Sequence, residues 1–165
     1  MRLAVVLVLL VAGCRGGGGE LRDWVWRDRE AAFRIGPLPP AWQLLEGEGD
    51  VAFHEPASGA VILANADCRE RLDAPLTVLR NSLLIGFTDR RVVVEREVEV
   101  AGRAALRSEL SARLDGVPVE LITYVLKKDG CVYDLVYAAP PELFAERARD
   151  FERLVAGFAT LGRGA

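Results

Sequence analysis

The sequence predicts an α+β domain in which an antiparallel, strongly twisted sheet of about six to eight strands has helices on both faces. Three observations predict this fold. Apolar and polar residues alternate through much of segment 91–137, which is typical of strands, and two Asp-Gly pairs interrupt the alternation. Two segments, 73–87 and 141–158, instead repeat apolar residues every three or four positions, as amphipathic helices do.

The composition excludes several classes of protein. The chain has 165 residues with 21 Lys+Arg against 24 Asp+Glu, a net charge of −3, and no basic block, so we expect no nucleic-acid partner. A single histidine excludes zinc sites that need two, and Gly16 to Gly19 lack the Lys-Ser/Thr of a phosphate loop. The sequence contains no recognisable catalytic motif or ligand set, so we expect no enzymatic activity, no metal and no cofactor.

The first residues have the features of a bacterial lipoprotein signal. Arg2 precedes an apolar run, Leu3 to Val11, that is too short to span a hydrocarbon core of about 30 Å. It leads into Val11-Ala12-Gly13-Cys14, which resembles the bacterial lipobox. We therefore predict lipidation at Cys14, with an ordinary secretory signal as the alternative.

The segment after Cys14 has the composition of a flexible tether. Gly16 to Gly19 cannot fold by themselves. We divide the chain into a signal peptide at 1–13, the lipidated cysteine and Gly-rich tether at 14–22, and a single domain at 23–162. The membrane is then a partner through lipidated Cys14, and the domain faces the periplasm of the bacterial envelope. Arg15, rather than Asp, slightly favours the outer membrane.

The first half of the domain contains three short predicted strands and a helix. Ala31 to Ile35 forms one strand, and Val51 to His54 with Ala60 to Ala64 form a hairpin across Pro56 and Ser58-Gly59. A helix starts at Asp73-Ala74-Pro75, where aspartate caps well and proline lacks only an N–H that would be unpaired anyway. Its apolar stripe consists of Leu76, Leu79, Leu83, Leu84 and Phe87.

The second half predicts an antiparallel meander whose register is fixed by its turns. Asp115-Gly116 and Asp129-Gly130 are strong two-residue hairpin signals. They place Leu114 opposite Val117, Leu106 opposite Val125, Lys128 opposite Cys131 and Tyr124 opposite Leu135.

Both faces of the last two strands are apolar in this register, which predicts helices on both sides. The second helix follows Pro140-Pro141 and ends near Gly162. Glu95, Glu97 and Glu99 share one strand face, and we expect them to pair with arginines of the next strand, namely Arg103, Arg107 and Arg113.

Several short segments resemble one family. They are Phe33-Arg34-Ile35 followed by Pro40-Ala41-Trp42, the helix with Leu76 and Leu79, Val100 to Ala104 at a turn between strands, and Val132-Tyr133-Asp134-Leu135 through Pro140, Phe144, Phe151 and Gly157-Phe158. In the order of their elements they resemble the PsbP/Mog-type α/β/α sandwich over roughly residues 31–160. The resemblance implies the three-layer fold. It implies no particular activity, because members bind different partners through different surfaces, and the chain shows no ligand set matching PsbP's metal-linked role.

Two cysteines remain once Cys14 is lipidated. Cys68 closes one predicted strand and Cys131 begins another. An even pair in an exported domain predicts a disulfide, since no Cys-x-x-Cys or activating neighbour favours a redox site.

The remaining candidate binding residues each have a structural alternative. Asp134 falls on the Val132 and Val136 face near Thr123, where a carboxylate needs a partner or a raised pKa. His54 could be a general base or a ligand together with Asp67, Glu55 or a free Cys68, but a histidine at the end of a strand or on the surface explains it more simply. Trp24 and Trp26 share one side of an extended segment and either dock on the sheet or contact a partner.

These observations leave a leading function and an alternative. The leading hypothesis is a lipid-anchored envelope protein that binds or scaffolds another, unknown envelope protein without catalysis. The alternative is a small-molecule or metal-ion binding protein with a cleft between the sheet and the C-terminal helix. A hydrolase and a thiol-dependent chaperone are less favoured.

Overall fold

The computed structural model describes residues 19–45, 51–69 and 73–162. The predicted signal peptide, Cys14 and most of the predicted tether lie outside these residues. The described part has two helices, α1 (Leu76–Leu83) and α2 (Phe144–Ala156). Its strands are β1 (Glu20–Arg22), β2 (Val25–Arg27), β3 (Ala32–Arg34), β4 (Gln43–Leu45), β5 (Val51–Glu55), β6 (Ala60–Asp67), β7 (Phe87–Val100), β8 (Arg103–Leu114), β9 (Val117–Lys128), β10 (Cys131–Ala139) and β11 (Ala159–Thr160).

The larger sheet has seven antiparallel strands in the order β4-β5-β6-β10-β9-β8-β7. The strands β7 to β10 form the predicted meander, and all four predicted register pairs are present. The two turns adopt positive φ, at Asp115 (50°) with Gly116 (80°) and at Asp129 (52°) with Gly130 (79°). This is the geometry of the turn that Asp-Gly favours in two-residue hairpin loops. The predicted α+β class and antiparallel sheet are confirmed.

The two helices contact alternate residues of the sheet. Leu79 of α1 packs with Val125 and Val132, whereas Phe151 of α2 packs with Tyr124 and Tyr137. Because Tyr124 and Val125 are neighbours on β9, their side chains project to opposite sides. We call these sides the α2 face, which carries Tyr124, and the α1 face, which carries Val125.

A second, four-stranded sheet was not predicted. Its order is β1-β2-β3-β11, and each strand has only two or three residues, too few to show a period. Its first strand, β1, spans Glu20–Arg22, at the end of the segment 14–22 that the sequence assigns to the tether. Trp24 lies in the Asp23-Trp24 turn between β1 and β2, at a φ of 63°, instead of in an extended segment.

Both predicted helices are too long at their C-terminal ends. Phe87 begins β7, since Gly86 adopts a φ of +95° and turns the chain out of α1. Likewise, α2 ends at Ala156 because Ala159 and Thr160 pair with β3. The Asp73 cap is also wrong, since the cap residue is Pro75 and no side chain bonds to this helix end.

The main core lies between the α2 face and the small sheet. Its largest fully buried aromatic side chains are Phe33, Tyr133, Tyr137 and Phe151. Trp42 also enters this core, where its indole N–H donates a 3.0 Å hydrogen bond to Asp150 of α2. Smaller apolar clusters pack α1 against the other face.

Two glycines allow the chain after β3 to touch the end of α2. A Cβ atom on Gly157 would overlap with the backbone of Gly36, and one on Gly36 would overlap with the carbonyl of Arg153. The Gly36 N–H also donates to the Leu154 carbonyl at 2.9 Å. This contact joins the small sheet to α2.

We predict that Gly157→Ala lowers the free energy of unfolding by about 1–3 kcal/mol, the usual cost of overpacking. Because Gly157 has an ordinary φ of −89°, the loss would report the steric contact and not backbone strain. Urea denaturation measures it, with the exposed Glu142→Ala as a control expected to change stability by less than about 0.5 kcal/mol. Equal stabilities for Gly157→Ala and wild type would contradict the contact.

Candidate functional site

A buried arginine is the centre of the most connected polar cluster on the α2 face. Arg107 lies on β8 and is 7% exposed. Its guanidinium forms ion pairs with Glu109 at 2.7 Å and with Glu152 of α2 at 2.8 Å. Burial alone would lower the pKa of Arg107, but hydrogen bonds to Glu152 and Glu109 more than offset this effect and raise it. The arginine therefore stays charged and ties α2 to the sheet.

Tyr124 completes this cluster. It stands opposite Arg107 on β9, accepts a 2.8 Å hydrogen bond from Arg107 Nε and donates one of 2.6 Å to Glu152. The guanidinium carbon lies 5.6 Å from the Tyr124 ring centroid. Burial, followed by the hydrogen bond to Glu152, raises the pKa of Tyr124 to about 12. The hydroxyl is therefore a proton donor to Glu152 at neutral pH and not a base.

A cleft of about 270 Å³ borders this cluster, between the end of β7 and the C-terminal turn of α2. Its apolar walls come from Val98, Val100, Val155 and Phe158, and its polar groups include Tyr124 and Glu152. The volume is slightly below the roughly 300–1,000 Å³ typical of small-molecule pockets. The cleft can hold a single side chain or a small fragment.

The predicted pairing of the β7 glutamates with β8 arginines is wrong. Arg107 lies opposite Arg96, and Glu97 and Glu99 lie opposite Leu106 and Ala104. Glu95 instead accepts from Arg80 of α1 at 2.7 Å and from Ser108 at 2.9 Å. The glutamates do share one face of β7, as predicted. The register of β7 against β8, however, places the arginines on the other face of the sheet.

Cys68 and Cys131 are joined by a disulfide in the structure. Cys68 follows β6 directly and Cys131 begins β10, and these two strands are neighbours in the sheet. The bond closes the chain across a separation of 63 residues. It links the end of β6 to the central strand of the sheet.

Asp134 has the predicted place in the fold. It stands between Val125 of β9 and Asn65 of β6 on the α1 face and is 8% exposed. Tyr124 and the cleft are on the opposite face, so Asp134 does not line the cleft. A binding role for Asp134 stays a prediction.

His54 is separated from the partners considered for it. It lies on β5 opposite Val61, six residues along β6 from Asp67, which is about 20 Å. Glu55 points to the other face, where the Ser58 hydroxyl donates to it and lowers the pKa of its carboxyl. Cys68 is bonded to Cys131. The described ranges contain no group of three or more His, Cys, Asp or Glu side chains placed to hold a metal ion.

Trp24 and Trp26 both pack against the main core. Trp24 stacks on Phe53 with ring centroids 6.0 Å apart, and its ring is half-buried. Trp26 is 7% exposed, and its indole N–H donates to Asp28 at 3.3 Å. Of the two alternatives left open by the sequence, this geometry favours docking on the protein's own core.

The seven-stranded antiparallel sheet, the small sheet and the two helices form an α+β fold. No family model and no curated protein matches the sequence. Solved structures do match, and they include CyanoP, the cyanobacterial PsbP of Synechocystis sp. PCC 6803. The two are 12% identical, with 90% of this chain and 95% of that chain covered and a TM-score of 0.57.

Two further similar structures come from other bacteria. LpqN, involved in cell envelope biogenesis of Mycobacterium tuberculosis, is 14% identical, with 79% and 84% of the two chains covered and a TM-score of 0.53. PA94 of Pseudomonas aeruginosa, a protein of unknown function, is 18% identical, with 85% and 95% covered and a TM-score of 0.57. Identities this low establish a shared fold alone, and this PsbP-like fold agrees with the resemblance.

Both helices of the described residues are short. Neither α1, with 8 residues, nor α2, with 13, has the length and apolar character to cross a bilayer.

We predict that Tyr124→Phe removes a tyrosine titration step near pH 12 from the absorbance of the folded protein at 295 nm. Because burial raises the pKa of Tyr124 above its usual value of 10, the neutral form is favoured in the folded state. Its stabilising effect is complete below about pH 10 and is lost as the pH rises toward 12. An unchanged titration curve in Tyr124→Phe would contradict the assignment.

We also predict that Cys68→Ala/Cys131→Ala lowers the free energy of unfolding by up to about 4 kcal/mol, as chain entropy gives for a loop of this size. In wild type, iodoacetamide should add mass only after reduction. Reductant should lower the melting temperature of wild type and leave the double variant unchanged. Two thiols reactive without reductant would show that the bond does not form.

Proposed function

We propose that the protein is a lipid-anchored component of the bacterial cell envelope that binds or scaffolds another protein and catalyses no reaction. The lipobox Val11-Ala12-Gly13-Cys14 and the glycine tether support the anchor. The structural similarity to an envelope-biogenesis protein is consistent with this location. The proposal further places the anchor in the outer membrane, with the domain facing the periplasm.

The main support for a protein without catalytic activity is that the polar side chains beside the cleft bind one another. The guanidinium of Arg107 binds Glu109, Glu152 and Tyr124, and the Tyr124 hydroxyl donates a hydrogen bond to Glu152. Catalytic acids and bases need a pKa near the working pH, whereas the pKa of Tyr124 is about 12. These groups hold α2 against the sheet, which favours a role for the outer surface of the domain.

The second candidate is the binding of a small molecule or a metal ion, and the cleft is the observation that favours it. Glu152 is partly exposed at the cleft and has an apolar wall beside it, formed by Val155 and Phe158. A thiol-dependent chaperone is less favoured, because it requires Cys68 and Cys131 to be reduced. A hydrolase is also less favoured, because His54, the single histidine, lies on the α1 face, away from the cleft.

The anchor is tested by replacing the lipidated residue. We predict that wild-type protein expressed in a bacterial host co-sediments with membranes and incorporates an alkyne-labelled fatty acid, and that Cys14→Ser loses the label. Two acyl chains make anchoring stable, so the wild type should stay in the membrane at high salt and leave it with detergent. Cys68→Ala/Cys131→Ala is the matched control, because it also removes thiols and should keep the label. A labelled Cys14→Ser protein would overturn the assignment of Cys14.

The binding role is tested by in-cell crosslinking of the full chain. A specific envelope protein should be recovered reproducibly and should bind the purified domain directly. Turnover of a substrate by the purified domain, lost in Glu152→Gln, would overturn the non-catalytic proposal.

A further inference from the structure

The outer edge of β7 over Glu95 to Val100, which we call the β7 edge, has the regularity needed to accept another strand. In the described part of the chain, β7 pairs only with β8 and ends the sheet. The register against β8 shifts between Thr88 and Arg91 and between Val92 and Val94, but it is continuous from Glu95 to Val100. Irregular pairing at an edge discourages a further strand. Only the first half of β7 has this protection.

The backbone groups that point outward can be assigned from the turn. Ala101 and Gly102 form a two-residue loop with φ of 51° and 73°, so the flanking pair Val100 and Arg103 exchanges backbone hydrogen bonds. Such pairs alternate along an antiparallel ladder. The N–H and C=O groups of Glu95, Glu97 and Glu99 therefore point away from β8, toward the open edge.

The side chains on the α1 face of this edge are acidic. Glu95, Glu97 and Glu99 alternate on β7 and so share this face. Glu95 is bound by Arg80 and Ser108. Glu97 and Glu99 are exposed, and no ion pair within the described residues involves either.

The side chains on the α2 face of the edge are apolar near its end. Val98 and Val100 project to this face and line the cleft together with Val155 and Phe158 of the α2 end. An added strand would place alternate side chains next to Val98 and Val100, at the mouth of the cleft. One face of the β7 edge thus favours basic side chains, and the other face, beyond the exposed Arg96, favours apolar ones.

We infer that the β7 edge binds an extended segment of another protein that carries Lys or Arg at every second position and apolar residues between them, adding an eighth strand to the sheet. This inference rests on the proposed protein-binding function and specifies its partner. Main-chain hydrogen bonds to Glu97 and Glu99 supply affinity, and the alternating side chains supply specificity. The basic side chains pair with the two exposed carboxylates across the new strand pair.

Charge argues against a second copy of this chain as the occupant. A two-fold axis that pairs two β7 edges antiparallel keeps the same face on the same side. Glutamates would then stand opposite glutamates on the α1 face, and like charges directly opposite destabilise a strand pair.

The probe is the fluorescein-labelled hexapeptide Lys-Val-Lys-Val-Lys-Val, titrated with purified domain and followed by fluorescence anisotropy. The matched control peptide is Glu-Val-Glu-Val-Glu-Val. We expect saturable binding of the basic peptide, weakened by salt, and at least tenfold weaker binding of the acidic one. Hydrogen exchange at the Glu97 and Glu99 amides should slow when the basic peptide binds, while the Val98 amide, already bonded to β8, should change little.

Two variants of the edge separate charge from backbone. Glu97→Lys/Glu99→Lys should weaken peptide binding about tenfold, and Glu142→Lys/Glu146→Lys, the same charge change at exposed positions before and in α2, should leave it within about twofold. Glu97→Pro removes an outward N–H without removing a bond to β8, so it should abolish the protection that the peptide gives to the Glu99 amide. Circular dichroism and thermal unfolding establish that each variant is folded.

The outcomes distinguish this inference from the proposed function. No binding at millimolar peptide, equal binding of both peptides, or binding without protection at Glu97 and Glu99 would overturn the β7 edge as the site. A dimer in sedimentation that Glu97→Pro dissociates would identify a second copy as the occupant and would also overturn it. If the β7 variants retain the crosslinked envelope partner at wild-type level, the proposed function stands and the inference fails. If no partner is found at all, the proposed function fails.

Discussion

The structure depends on the register of β8, β9 and β10. Two Asp-Gly turns fix this register, and a shift by one residue would exchange every side chain between the α1 face and the α2 face. Tyr124, Tyr133 and Tyr137 face α2 only in the observed register, and Val125 and Val132 face α1. The same register places Arg107 beside Tyr124. One register therefore determines both the polar cluster and the apolar core.

Much of this arrangement could be predicted, because it is local. The Asp-Gly pairs specify loop length and so identify the residues opposite one another, and apolar residues on both sides of β9 and β10 indicated cover on both faces. The contact of Arg107 with Tyr124 follows from the predicted pair Leu106 and Val125, although this consequence was missed. The likeness of the chain's last strand and helix to PsbP-type proteins agrees with the fold that the structural comparison establishes.

The parts that were not predicted depend on long-range contacts. Glu152 reaches Arg107 only because α2 crosses the sheet, and helical spacing does not specify that position. The small sheet has strands of two or three residues, below the length at which alternation is visible. The glutamates of β7 were matched to the wrong partners because the Ala101-Gly102 turn carries none of the usual turn signals at its first position, so the register across it was not fixed.

The position of β1 has a mechanical consequence under the proposed anchoring. Tension along the tether would reach Glu20 first, and Glu20 is paired with Arg27 at the open end of the β1–β2 hairpin. Pulled from this end, the hairpin opens one residue pair at a time, so it yields at low force. Releasing the three residues of β1 would lengthen the tether by about 10 Å while β5 to β10 and both helices remain packed. The first strand would then supply extra tether length between the membrane and the folded core.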